Sequence, residues 1–342
     1  MKPYSHAASV VLNQPWAVVP STLHTIAEIL AARIRGEHLV SAVERQAMAE
    51  ANSVRRSQAS IASIAVVPLF GVLAQRVSPM EEQSGASSTE RTAAMFRRAV
   101  ADPDVTSIVL NVDSPGGQVF GTLELAEEIY RARSKKPIVA IANSLAASAA
   151  YWIASAAGEL VVTPGGEVGS IGVYGIHYDE SRAFEMAGVK PTMVSAGKYK
   201  VEGNPYEALG DEAHGALQRR VDDYYALFVN AVAKHRGVSA DQVRRGYAEG
   251  RSVGAKEAVK LGMVDRIGTL QETVDRIQRA GSRLKLPHAA DSRPQLSAED
   301  AADMEMRRLR LRLHQVTMPP DPGLADLARR RQRLEQAAQG SR

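Results

Sequence analysis

The chain has 342 residues, 45% of them hydrophobic, with 42 Lys and Arg against 38 Asp and Glu. These ordinary fractions exclude a wholly disordered chain. The lack of cysteine excludes disulfide staples, thiolate metal sites and a cysteine nucleophile. The net charge of +4 sits in residues 281–342, where 12 basic and 8 acidic side chains fall, so the body is neutral and no specific nucleic-acid partner is expected.

At the start, Asn13 and Pro15 interrupt the apolar stretch, and no run approaches the ~18 apolar residues of a membrane span. The expectation is a soluble, intracellular chain without a membrane anchor. Ser21 or Thr22 is placed to cap a first helix with Leu23, Ile26, Ile29, Leu30 and Ile34 on one face. Gly36 ends it, and Leu39, Val43 and Met48 mark a second. Residues 1–58 thus read as an N-terminal helical extension. The pattern then changes. Residues 61–70 are a short, β-rich apolar run and read as a buried strand. Residues 77–89, rich in Ser, Glu and Gly, read as a loop.

From there helices and strands alternate. The periodicity predicts helices over 92–101, 122–133 and 146–157, with strands at 107–112, 137–142 and 159–163. Residues 176–178 also read as extended, and two further helices cover 212–236 and 239–247. Such spacing means βαβ units, a largely parallel sheet and helices outside it. The region 59–282 reads as one catalytic α/β domain. Prolines then divide a polar tail, 283–342, in which 298–313 and 324–339 carry arginines at helical spacing but too few apolar residues to close a core.

Reactive groups in such sheets lie at the carboxyl ends of strands. Two ends stand out. Ser114-Pro115-Gly116-Gly117 follows one strand; paired glycines allow a sharp turn and bare N–H groups that can hold an oxyanion, although the same residues suit a plain turn. Ser148 follows another, in the first turn of a helix, among Ala147, Ala149 and Ala150. It suits a nucleophile or a helix cap, and Ser144 suits either role too. The base is open on these grounds. His177 is the histidine placed for a triad, without a clear carboxylate to orient it. Lys198 and Lys200 are the alternatives, because a desolvated, neutral lysine can accept a serine proton.

Four segments in order change this balance: Ser114–Gly117, residues 146–154, Gly169-Ser170-Ile171-Gly172-Val173 and Ser195–Lys200. Together with 250–265 they resemble the signal peptide peptidase A family of serine–lysine peptidases, over about 61–267. The resemblance implies a caseinolytic-protease/crotonase-like fold and a serine endopeptidase acting through an acyl-enzyme. It assigns Ser148 as nucleophile, Lys200 as general base, Ser170 as the serine that hydrogen-bonds the lysine, and Gly117 with the Ala149 N–H as the oxyanion hole. Lys198 is left to the surface. No metal or cofactor is implied. Ala149-Ala150 replaces the family's common pair of glycines, which narrows the site but keeps the backbone donor. The Ala-rich surroundings predict a pocket for a small substrate side chain before the cut.

Without an anchor, the chain looks more like the phage and prophage branch, whose members mature capsids. That implies scaffold or capsid proteins as substrates, a homo-oligomeric ring, and residence in the bacterial host cytoplasm or a phage prohead. The alternatives are a cytoplasmic peptidase of the same family that degrades proteins or signal peptides, and an assembly protein with vestigial catalysis.

Overall fold

The computed structural model describes residues 15–35, 59–61, 63–78, 81–82 and 85–280. They fall in a compact unit that spans Met1–His288. The expected second helix near 39–52 and both arginine-rich tail segments lie outside the described residues.

The chain opens with β1 (Trp16–Val18) and α1 (Pro20–Arg35). The first helix therefore starts at Pro20, ahead of the expected Ser21 or Thr22 cap, because proline's fixed φ suits the first helical position. Next come β2 (Ala59–Ile61), β3 (Ile64–Phe70), β4 (Val72–Ala74) and β5 (Ala86–Ser88). The segment read as a loop thus ends in a strand. Ser88 then caps α2 (Thr89–Ala101), its hydroxyl accepting from the Arg91 N–H.

The central alternation follows: β6 (Ser107–Ser114), β7 (Gly116–Gln118), α3 (Thr122–Ala132), β8 (Ile138–Ala147), α4 (Ala149–Ser155), β9 (Glu159–Val162) and β10 (Glu167–Gly169). The remainder is α5 (Ser181–Met186), α6 (Asp211–Arg236), α7 (Ala240–Gly246), β11 (Ser252–Gly254), α8 (Ala255–Lys260), β12 (Arg266–Ile267) and α9 (Leu270–Ala280).

The expected parallel sheet flanked by helices is present. β3, β6, β8 and β9 run parallel, with β12 beside β9 and β10 beside the far end of β8. β2 and β11 close the edges in antiparallel fashion. A second, four-stranded sheet has the order β1-β7-β4-β5.

Alternation sends Val67, Ile108, Leu110, Ala140 and Leu160 into the main core beneath the helices. Ile64, Val66, Val109, Val139 and Ile141 point the other way, against Val274 and Ile277 of α9. Trp152 of α4 stacks on Phe228 of α6 with ring centroids 4.5 Å apart, which fixes the helix that carries the site. Two expectations differ here. β8 runs to Ala147, five residues past the expected end at 142, because its far half gains β10 as a partner. Residues 176–178 belong to no strand.

A buried histidine locks the same two helices. Ser155 donates to the Trp152 carbonyl at 2.8 Å, so His235 Nδ1, 3.0 Å from the Ser155 hydroxyl, is the donor of that pair. Burial first, then the nearby Lys234, Arg133 and Arg236 charges, lower the His235 pKa to about 3. An unfolded histidine takes up its proton near pH ~6.5. The folded state refuses that proton, so the stability carried by neutral His235 is whole above pH ~6.5 and declines as pH falls toward 3. Replacing His235 with Gln should flatten the loss of thermal midpoint between pH 6.5 and 3.5. A scan of melting temperature against pH for both proteins checks this.

Candidate active site

The site begins with Ser114. Its hydroxyl donates to the Gly71 carbonyl at 2.6 Å and accepts from the Gly116 N–H at 3.2 Å, which folds the Ser-Pro-Gly-Gly segment back on itself. Gly116 has φ of +99°, open to glycine at little cost. A methyl group there would stand 2.2 Å from the Ala17 carbonyl oxygen, 2.9 Å from Ser148 Cβ and 3.0 Å from the Ala147 carbonyl oxygen. One on Gly117 would stand 1.9 Å from the Leu73 carbonyl oxygen. The paired glycines are therefore what allows three strands and the serine to meet.

Ser148 sits between β8 and α4, at the helix cap and not in its first turn as expected. Its φ of 55° and ψ of −121° lie outside the usual wells for an L-residue, a sharp strand-to-helix turn that the packed surroundings hold in place. Its N–H donates to the Gly169 carbonyl at 2.7 Å, and its hydroxyl stands 3.5 Å from the Gly172 carbonyl. Ala146, Ala147, Ala149 and Ala150 around it are fully buried. The Ala149 N–H opens the helix and has no intrahelical acceptor, so it is available to an anion together with the positive end of the helix dipole. Ser170, φ +53°, is anchored through its N–H to the Arg251 carbonyl at 2.9 Å. Ser144, also at positive φ, is exposed five residues before the helix starts.

The structure thus brings Gly117, Ser148, Ala149 and Ser170 to one end of the sheets. It does not bring Lys200 to Ser148 within the single chain. Lys200 is exposed in a turn closed by its N–H on the Gly197 carbonyl, and no hydrogen bond joins it to either serine. Lys198 is committed elsewhere: it donates to the Tyr199 hydroxyl at 2.8 Å and to Glu212 at 2.9 Å, and these bonds raise its pKa. His177 shows no bond to Ser148, and its Nε2 is buried without a partner. Among the described residues no three His, Asp or Glu side chains gather as metal ligands. Trp16–Val18 was not among the site residues read from sequence, although it reaches the glycine turn; its signal was a Trp-Ala-Val-Val run closed at each end by Pro15 and Pro20.

Comparison with known proteins adds the family. The model for Peptidase family S49 matches residues 131–284, which include β8, Ser148, Ser170 and Lys200. This region belongs to peptidase family S49. S49 members are serine peptidases.

The chain is 31% identical over 276 residues to the capsid assembly protease C of Escherichia phage lambda, covering 77% of this chain and 62% of that protein. It is 35% identical over 246 residues to the head-tail preconnector protein GP5 of Enterobacteria phage P21, covering 72% of this chain and 48% of the relative. Protease 4 of Salmonella typhi is 31% identical over 195 residues, 57% of this chain and 31% of its own. The chain thus spans less than two thirds of either phage relative. A solved membrane-bound stomatin-specific protease aligns with 62% of this chain and 83% of its own at a TM-score of 0.37 and 15% identity. No described helix is long and apolar enough to cross a membrane.

Changing Gly117 to Ala should displace β4 from β7 and remove peptide hydrolysis. The clash is with backbone, which cannot rotate aside as a side chain can. A Gly165→Ala control, where a methyl group meets nothing within 4 Å, should retain activity. Circular dichroism with a peptide assay separates loss of fold from loss of the site.

Proposed function

We propose that this chain is a serine endopeptidase in which Ser148 and Lys200 form the catalytic dyad. The observation that carries the reading is the strained strand-to-helix turn at Ser148, set against a glycine turn and a free helix N-terminus. In the proposed reaction the Ser148 oxygen bonds to the scissile carbonyl carbon while neutral Lys200 takes the hydroxyl proton. The oxyanion lies between the Gly117 and Ala149 N–H groups. The C–N bond then breaks as Lys200 returns the proton to the leaving amine. A water, deprotonated by Lys200, releases the acyl group and restores Ser148. Ser170 orients the amine.

Lysine serves as a base only where something excludes water from it, because a solvated ammonium holds its proton to about pH 10.4. Within one chain Lys200 is exposed. The segment around it leaves apolar side chains in solvent: Val194 is 96% exposed and Met186 81%. No residue of α5 is buried. The reading therefore includes a second copy that covers this arm, desolvates Lys200 and completes the dyad, as part of a homo-oligomeric ring. Two relatives carry phage assembly names, which supports capsid or scaffold proteins as substrates and the host cytoplasm or prohead as the setting. Protein degradation outside assembly is the second reading, favoured by the similarity to Protease 4.

Ser148→Ala should abolish hydrolysis with the fold kept, since one hydroxyl is removed among alanines. Lys200→Arg should also be inactive, because guanidinium keeps its proton, while Lys198→Arg stays active. Mass spectrometry of fragments from candidate scaffold proteins reads all three. An active Lys200→Arg beside an inactive His177→Ala would overturn the dyad.

Val194→Asp should shift the protein from oligomer to single chains in sedimentation and lower hydrolysis at least about tenfold, the effect of losing desolvation at the base. Full activity of a monomeric Val194→Asp protein would contradict a dyad completed by a second copy.

A further inference from the structure

The N-terminal strand β1 lies against the glycine turn beside Ser148. β1 pairs antiparallel with β7, with Trp16 opposite Gln118, Ala17 opposite Gly117 and Val18 opposite Gly116. Its other edge is also taken: Trp16 and Tyr174 exchange two backbone hydrogen bonds, at 2.9 and 3.0 Å. An extended segment held on both edges beside a nucleophile is the geometry of peptide recognition by strand addition.

The register is informative. Val19 donates to the Pro115 carbonyl at 2.9 Å and Val119 to the Pro15 carbonyl at 3.5 Å. Hydrogen-bonded pairs alternate along an antiparallel ladder, so the intervening Ala17–Gly117 pair is also a bonded one. The Ala17 carbonyl therefore faces the Gly117 N–H, the donor assigned to the oxyanion. The same carbonyl oxygen and Ser148 Cβ both crowd the point where a Gly116 side chain would begin, 2.2 and 2.9 Å from it. The Ala17 side chain is fully buried, in the core cluster that also holds Leu73, Ala146 and Ala149. Trp16 and Val18 point the other way, into a separate small cluster with Leu23, Val72, Tyr174 and Ile176.

We infer that Trp16–Val18 is an internal pseudosubstrate. It fills the slot an extended substrate would take, with Ala17 in the position of the residue before the cut, and it must withdraw before a substrate can bind. The inference rests on Ser148 as nucleophile and Gly117 as oxyanion donor, and it deepens that reading in two ways. Substrates should be extended segments with a small residue aligned to Ala17. Activity should be held down by the fraction of molecules in which the strand is seated, because apparent affinity scales with the competent population. Trp16 and Val18 sit in a small cluster apart from the main core, so Ala17 is the one side chain of the strand that leaves the main core when it withdraws.

The test uses the full chain. Trp16→Ala removes the largest anchor of the strand and should raise kcat/KM on a small-residue peptide by about fivefold or more, through the larger competent fraction. A synthetic peptide with the sequence of residues 13–20 should then inhibit Trp16→Ala more strongly than the wild type. Wild-type protein supplies a second readout that needs no variant. After a peptidyl phosphonate has modified Ser148 completely, the amides of residues 16–19 should exchange with deuterium faster than in untreated protein. Unchanged protection there, or a folded Trp16→Ala with unaltered kcat/KM, overturns the pseudosubstrate while Ser148 stands. If Ser148→Ala still hydrolyses peptide, the nucleophile fails and this inference fails with it.

Discussion

The site depends on one close backbone approach. Gly116 and Gly117 let β7 pass within contact of the Ala17 and Leu73 carbonyls and of Ser148 Cβ. No side chain fits at either place, so the glycines are fixed by the crossing itself. Around that crossing the two sheets divide the work. The larger sheet delivers Ser148 and, in the helix after it, the Ala149 N–H; the smaller one delivers the Gly117 N–H and the strand-shaped slot. Ser114 ties them, donating to Gly71 at the start of β4 and accepting from Gly116 at the start of β7.

Rigid and unfinished parts stand side by side. Ser148 is carried by a helix whose residues are all buried, braced by Trp152 on Phe228 and by the neutral His235 beneath Ser155. Lys200 is carried by an arm that leaves Val194 and Met186 in solvent. With Ser148 as the proposed nucleophile and Lys200 as the proposed base, a strained serine beside an exposed lysine fits an enzyme whose activity waits on assembly. In that account two controls act on different halves of the chemistry. A second copy would make the base competent, and withdrawal of Trp16–Val18 would free the oxyanion donor.

Much of the fold was legible because apolar periodicity and burial agree. The strands read at 107–112 and 159–163 and the helix read over 212–236 are present; the strands are largely buried, and the helix buries mainly its last turns, from Phe228 on, with Leu217 and Leu227 exposed. Errors fall where partners distant in sequence decide. β8 continues to Ala147 only because β10 pairs with it, which moves Ser148 from the first helical turn to the cap. Residues 176–178 have strand-like composition, but no strand pairs with them. β1 was missed because three residues between prolines form a strand only when β7 and Tyr174 are there to receive them. For the site, the strand ends brought out Ser148 and the Ser114–Gly117 turn, while Ser170 and the Ala149 N–H came from the resemblance; the fold places all of them at one end of the sheets. The choice of Lys200 over Lys198 came from the resemblance; Lys198 is bonded to Tyr199 and Glu212, and Lys200 is exposed with no bond to either serine.

The central claim is that the strained serine between β8 and α4 is the nucleophile. The most direct measurement is peptide mapping by mass spectrometry after the assembled protein has reacted with a fluorophosphonate. The account predicts one adduct, on Ser148, formed in step with loss of peptidase activity. An adduct on Ser144 or Ser170 in its place, or complete inactivation with Ser148 unmodified, would contradict it.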